Sequence, residues 1–121
     1  MKILVLGHGR DYSKDFIRCS SYDKNKWFDT DYTCVDIDPL CRPDIVADLR
    51  CEWTFAKDNE YDLIIDTTGL VLTYPNRGIC KPSVEHEVMR CLTIGGEFYG
   101  WRNIHLKKDK PYTGKFTYHE N

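Results

Sequence analysis

The chain has 121 residues, 41% of them hydrophobic and 30% charged, with a net charge of −2. That length holds one core of ordinary size and leaves no room for a second independent domain. An aromatic content of 13% argues against disorder, no apolar run approaches the ~18 residues of a membrane span, and the near-neutral balance argues against broad electrostatic binding to nucleic acid.

Five short apolar segments are expected to be strands: residues 2–6, 32–36, 45–47 (the weakest), 61–65 and 97–101. The unalternating, β-branched runs among them suit a parallel sheet covered on both faces. Ser13 can cap a helix through about residue 21 that turns Phe16 and Ile17 inward. Pro82 and Ser83 open a second helix, with Val84, Val88, Cys91 and Leu92 at helical spacing, Glu85, Glu87 and Arg90 on its polar face, and Gly95 and Gly96 ending it. Strands separated by helices predict an α/β fold: a three-layer sandwich around a mostly parallel sheet of about five strands. The link from Asp36 to Ile45 is shorter than the dozen residues a parallel crossover usually takes. Either the third strand is vestigial or a bare loop makes that crossover. In the tail, residues 103–121, segments 105–108 and 115–118 flank a Pro111 to Gly114 turn signal and suggest a short hairpin, with a frayed terminus as the alternative.

The six cysteines, at 19, 34, 41, 51, 80 and 91, form no C-x-x-C pair and have no histidine at zinc-finger spacing. Residues 3–6 are also too short for the apolar core of a signal peptide. The cysteines are therefore read as reduced, mostly buried packing residues of an intracellular, cytoplasmic protein, with no metal site.

Ligands of open α/β sheets bind at the carboxyl ends of the strands. Here those ends carry Gly7, His8, Gly9 and Asp11 after the first strand, Asp36 and Ile37 after the second, Asp48 and Leu49 after the third, and Asp66, Thr67, Thr68 and Gly69 after the fourth. Glycines permit close approach to the backbone, and a carboxylate after the second strand can accept two ribose hydroxyls.

That ordered series resembles the class I S-adenosylmethionine-dependent methyltransferases. The resemblance rests on LVLGHG at 4–9, VDIDP at 35–39, DIVADL at 44–49, YDLIID at 61–66 and VMRCLTIGGEF at 88–98, and it spans about residues 2–101. It implies a Rossmann-like fold with strand order 3-2-1-4-5 and S-adenosylmethionine as cofactor. Gly7, His8, Gly9 and Asp11 would form the loop around the cofactor, Asp36 would hold the ribose, Asp48 would contact the adenine, Ile37 and Leu49 beside them would complete the cofactor site, and Asp66 would line the pocket. The chain departs from the family at Val5, where an acid is common, and at Asp11, where a third glycine is common. Beyond the fifth strand it offers a hairpin at most, so a short, C-terminally truncated form is implied. A second copy or a partner protein would then supply the missing cover.

Methyl transfer asks mainly for alignment and exclusion of water, because the sulfonium is already an activated donor. Asp66 and Tyr74 are the candidate catalytic residues, with His86 behind them. Trp53, Phe55, Tyr74, Tyr99 and Trp101 are candidates for an acceptor pocket, with core packing the default for at least half. The acceptor itself is not specified. The fourth-strand end lacks the paired prolines of enzymes that methylate DNA bases, and the cluster Lys107, Lys108, Lys110 and Lys115 reads as a solvated surface. Two other readings stand beside this one. The chain is either a non-catalytic domain of the same fold, binding cofactor or protein, or a nicotinamide enzyme. The latter is disfavoured because Tyr12 stands where the dinucleotide fingerprint requires glycine, and Asp36 lies 27 residues beyond Gly9 rather than roughly 20.

Overall fold

A computed structural model describes residues 1–7, 32–68, 83–100 and 104–111 of the chain. The apolar tetrad Ile3–Leu6 forms β1, and all four side chains are buried. Successive side chains of a strand point to opposite faces, and β1 divides accordingly. Leu4 and Leu6 join one apolar cluster with Val35, Ile64, Val88 and Phe98, while Ile3 and Val5 join a second with Leu63 and Ile65. A strand buried on both faces needs no polar alternation, which is why these runs read as continuous.

Thr33–Asp36 forms β2, Ile45–Val46 β3 and Tyr61–Asp66 β4. β2 and β4 flank β1, and β3 lies outside β2, all in parallel. Leu92–Tyr99 forms β5, parallel to β4, and His105–Lys107 forms β6, antiparallel to β5. The result is an α/β fold with a mixed, mostly parallel sheet of six strands in the order 3-2-1-4-5-6. The expected order of the first five holds. A sixth strand extends the sheet: segment 105–107 pairs back onto β5, with Phe98 opposite Leu106 and Tyr99 opposite His105. Its anticipated partner, 115–118, lies outside the described residues, as does the helix expected at 13–21.

The short link after β2 is resolved in both of the ways foreseen. β3 is only two residues long, and the crossover is a loop with one 3-10 turn, Pro39–Cys41. The Asp38 carboxylate starts that turn by accepting from the Leu40 N–H at 2.9 Å, and Arg42 closes it in the left-handed region at φ 53°. Asp44 secures the returning chain by accepting from the Cys34 N–H at 2.8 Å.

The helix α1 spans Val84–Cys91 and is capped by Ser83, whose Oγ accepts from the His86 N–H at 3.0 Å. Val84, Val88 and Cys91 are buried in the first cluster. Two expectations fail here. The helix ends at Cys91, and Leu92 is already extended, so Gly95 and Gly96 lie inside β5. Gly95 has φ 88°, and a Cβ on Gly96 would stand 2.9 Å from the Thr93 carbonyl and 3.1 Å from that of Asp62. The glycines therefore serve an irregular stretch of the β4–β5 ladder, where pairing jumps from Tyr61–Leu92 to Leu63–Glu97.

The second failure is Glu87, expected on the polar face but only 1% exposed. The segment after β3 packs over that face, and its main-chain groups require partners. Glu87 Oε2 accepts from the Trp53 N–H at 2.6 Å, and its Oε1 accepts from Arg90 Nε at 3.0 Å. Arg90 in turn donates to the carbonyls of Trp53 and Ala56 at 3.0 and 3.1 Å and to Asp58 at 2.7 Å. Lys108 is likewise buried rather than solvated. Its Nζ donates to Asn59 Oδ1 and the Leu92 carbonyl at 2.7 Å each, and burial holds its ammonium below the usual lysine range.

Of the described cysteines, Cys34, Cys41 and Cys91 are buried and Cys51 is exposed. Burial pushes the Cys91 thiol up to about 12, which removes it as a nucleophile near neutrality. Among the described residues no helix is long and apolar enough to cross a membrane.

Candidate ligand pocket at the strand ends

The four parallel strands β1 to β4 end on the same edge of the sheet, and a cavity of about 320 Å³ opens there. It is lined by Gly7, Asp36, Ile37, Ala47, Asp48, Leu49, Arg50 and Thr68. That volume falls at the low end of the ~300–1,000 Å³ range of small-molecule sites. Five of the residues singled out in the sequence thus share one wall system: Gly7, Asp36, Ile37, Asp48 and Leu49. His8, Gly9, Asp11 and Tyr74 lie outside the described residues.

Each lining residue has an identifiable support. Gly7 leaves β1 at φ 71° and donates its N–H to the Val35 carbonyl at 2.7 Å. A Cβ at Gly7 would run into the Thr68 methyl group and be strained at this positive φ, so glycine lets the β4 end pack against the β1 end without a shift. Thr67 ties the same two ends together, its N–H and Oγ1 donating to the Leu6 carbonyl at 3.1 and 3.0 Å.

Asp36, the last residue of β2, is 9% exposed, and its Oδ1 accepts from the Asp38 N–H at 3.0 Å. Beside it Ile37 is 56% exposed, an apolar face on the cavity rim. Leu49 is buried, and its carbonyl accepts from the Trp53 indole N–H at 2.9 Å. The pocket wall is therefore anchored through Trp53 to Glu87 of α1.

Asp66 does not line this cavity. It is 1% exposed, and its Oδ1 accepts from the Thr68 N–H at 2.8 Å and from the Thr68 hydroxyl. Its visible work is to orient Thr68, which does line the cavity. His86 is also absent from the wall, and burial lowers its pKa below the usual imidazole range. Trp53 is buried in the core and stacks on Phe55 with centroids 5.4 Å apart, so neither faces the cavity. Tyr99 stacks on His105 at 4.4 Å, toward the β6 edge of the sheet. Trp101 lies outside the described residues.

Three lining residues were not singled out as site residues beforehand: Ala47, Arg50 and Thr68. Thr68 was visible as part of the polar string after β4. Arg50 had one local signal, its place two residues beyond Asp48, which suits a side chain folding back onto a carboxylate.

Chemically the described wall offers carboxylates, one guanidinium, one hydroxyl and apolar surface. It holds no histidine, cysteine, lysine or tyrosine among the described residues. Such a wall can bind and orient a polar small molecule, and it has no activated nucleophile of its own. A second cavity of similar volume lies toward the opposite end of the strands, lined by Met1, Asp62, Thr93, Gly95, Gly96 and Glu97 among others. Its carboxylates are already engaged: Asp62 accepts from the Lys2 N–H at 2.7 Å, and Glu97 accepts from the Tyr99 hydroxyl and meets His105 Nε2 at 2.8 Å.

The molecule thus belongs to the broad class of α/β domains with a pocket at the carboxyl ends of parallel strands. Comparison with protein-family models, curated proteins and solved structures finds no match to this chain.

Proposed function

We propose that this chain is a small S-adenosylmethionine-dependent methyltransferase with a Rossmann-like, three-layer architecture, acting on an acceptor still to be found. The observation that carries this reading is the clustering of Gly7, Asp36, Ile37, Asp48 and Leu49 around one cavity at the ends of β1, β2 and β3. In this reading Asp36 accepts the ribose hydroxyls, Ile37 and Leu49 flank the adenine ring, and Asp48 faces its polar edge. Thr68 borders the cavity from the β4 side.

The test is calorimetric titration of the reduced protein with S-adenosylmethionine and S-adenosylhomocysteine. Micromolar binding is expected. Asp36→Ala should weaken it about 10- to 100-fold, since hydrogen bonds to a charged acceptor contribute about 1.5–3 kcal/mol. Lack of binding by a demonstrably folded protein would overturn the reading.

One observation favours a second reading, a non-catalytic domain of the same architecture. The space beside Gly7 is filled by the Thr68 methyl group, so packing within the chain already accounts for that glycine. Under this reading the ligands bind, or a protein partner does, without methyl transfer. An acceptor screen with labelled cofactor separates the two.

A further inference from the structure

Asp48 and Arg50 share one wall of the cavity and are paired with each other. The Arg50 main-chain N–H and its Nε each donate to Asp48 Oδ1 at 2.9 Å, and Nη2 donates to Oδ2 at 2.9 Å. A carboxylate offers about four lone-pair positions, and Arg50 takes three of them. A ligand amine therefore competes with the fork for this carboxylate. The guanidinium itself has donors and no acceptor, so the closed pair offers the ligand hydrogen-bond donors where a bare aspartate would offer acceptors.

The fork is also able to open. The Arg50 side chain is 48% exposed and that of Asp48 29%, and ion pairs so exposed are held weakly. A pair that is closed at rest and weak enough to open is a means of setting preference rather than a fixed structural brace.

We propose that Arg50 is a specificity-determining residue of this pocket, a guanidinium latch that competes with an adenine amino group for Asp48 and so narrows the preference for 6-amino over 6-oxo purines. This rests on the adenosyl reading of the cavity given above.

The experiment titrates the full chain with S-adenosylhomocysteine and S-inosylhomocysteine, comparing wild type, Arg50→Ala and Arg50→Lys, with melting curves confirming that each variant is folded. Both ligands are thioethers, so no sulfonium charge enters, and they differ only at the purine. Wild type is expected to bind the two within about threefold of each other. Arg50→Ala should bind the adenosyl ligand about two- to fivefold more tightly, the range set by an exposed ion pair, with no gain for the inosyl ligand. Lysine keeps the charge but cannot form the fork, so Arg50→Lys should behave like Arg50→Ala. An unchanged ratio in Arg50→Ala overturns the latch, including the case where both affinities fall together as a loss of loop support would cause. Arg50→Lys behaving as wild type also overturns it, because charge alone would then be acting. Failure of both ligands to bind wild type overturns the adenosyl reading itself and the latch with it.

Discussion

Glu87→Ala is expected to destabilise the protein by about 3–5 kcal/mol, the cost of breaking a buried ion pair from one side. Glu87 is 1% exposed and satisfies both the Trp53 N–H and the Arg90 guanidinium. Removing it leaves the buried Trp53 N–H without its acceptor and Arg90 with only the exposed carboxylate of Asp58 as counter-charge. Glu87→Gln keeps an acceptor for Trp53 and should cost less. Glu85→Ala, on the exposed side of the same helix turn, should stay within about 0.5 kcal/mol. Urea unfolding of the three variants checks this. A loss below about 1 kcal/mol for Glu87→Ala would mean that the network is solvated and does not hold the segment around Trp53 to α1.

Gly7→Ala is expected to cost about 2–4 kcal/mol, combining roughly 1 for a side chain at positive φ with about 1–3 for forced packing. The φ of 71° and the close approach to Thr68 Cγ2 act together. Thr68→Ser removes that methyl group and keeps the hydroxyl that donates to Asp66. The double variant should therefore recover part of the loss, and the coupling measures the packing share. An additive pair would assign the whole cost to backbone conformation. A neutral Gly7→Ala would contradict the close approach of the β1 and β4 ends.

These two sites mark where sequence reasoning succeeded and where it did not. β1 and β4 were readable because a strand buried on both faces must be apolar throughout, and Ile3–Leu6 and the core of Tyr61–Asp66 are. The positions of Gly7, Asp36 and Asp48 followed from the same logic, since parallel strands deliver their ends to one edge. β5 was misread at its start. A double glycine after a helical repeat signals a helix end, but here Gly96 admits the Asp62 carbonyl within a ladder irregularity, which is a contact between strands distant in sequence. β6 had the right residues, but its pairing with β5 was not foreseen, because a turn signal at Pro111 is local and that pairing is not. Glu87 and Arg90 looked like a solvated helix face. Only the path of the chain around Trp53 makes them a clamp, and nothing in the helix periodicity encodes that path. Arg50 escaped notice for a similar reason: its pairing with Asp48 is local, but its place on a ligand wall depends on four strands meeting.

The measurement that bears most directly on the pocket is a map of amide chemical shifts on titration with S-adenosylhomocysteine. Saturable changes concentrated at Gly7, Ile37, Leu49, Arg50 and Thr68 are expected, with Thr93, Gly95 and Gly96 of the opposite cavity unmoved. Changes centred on Thr93, Gly95 and Gly96, or none at millimolar ligand, would contradict a cofactor site at the ends of β1 to β4.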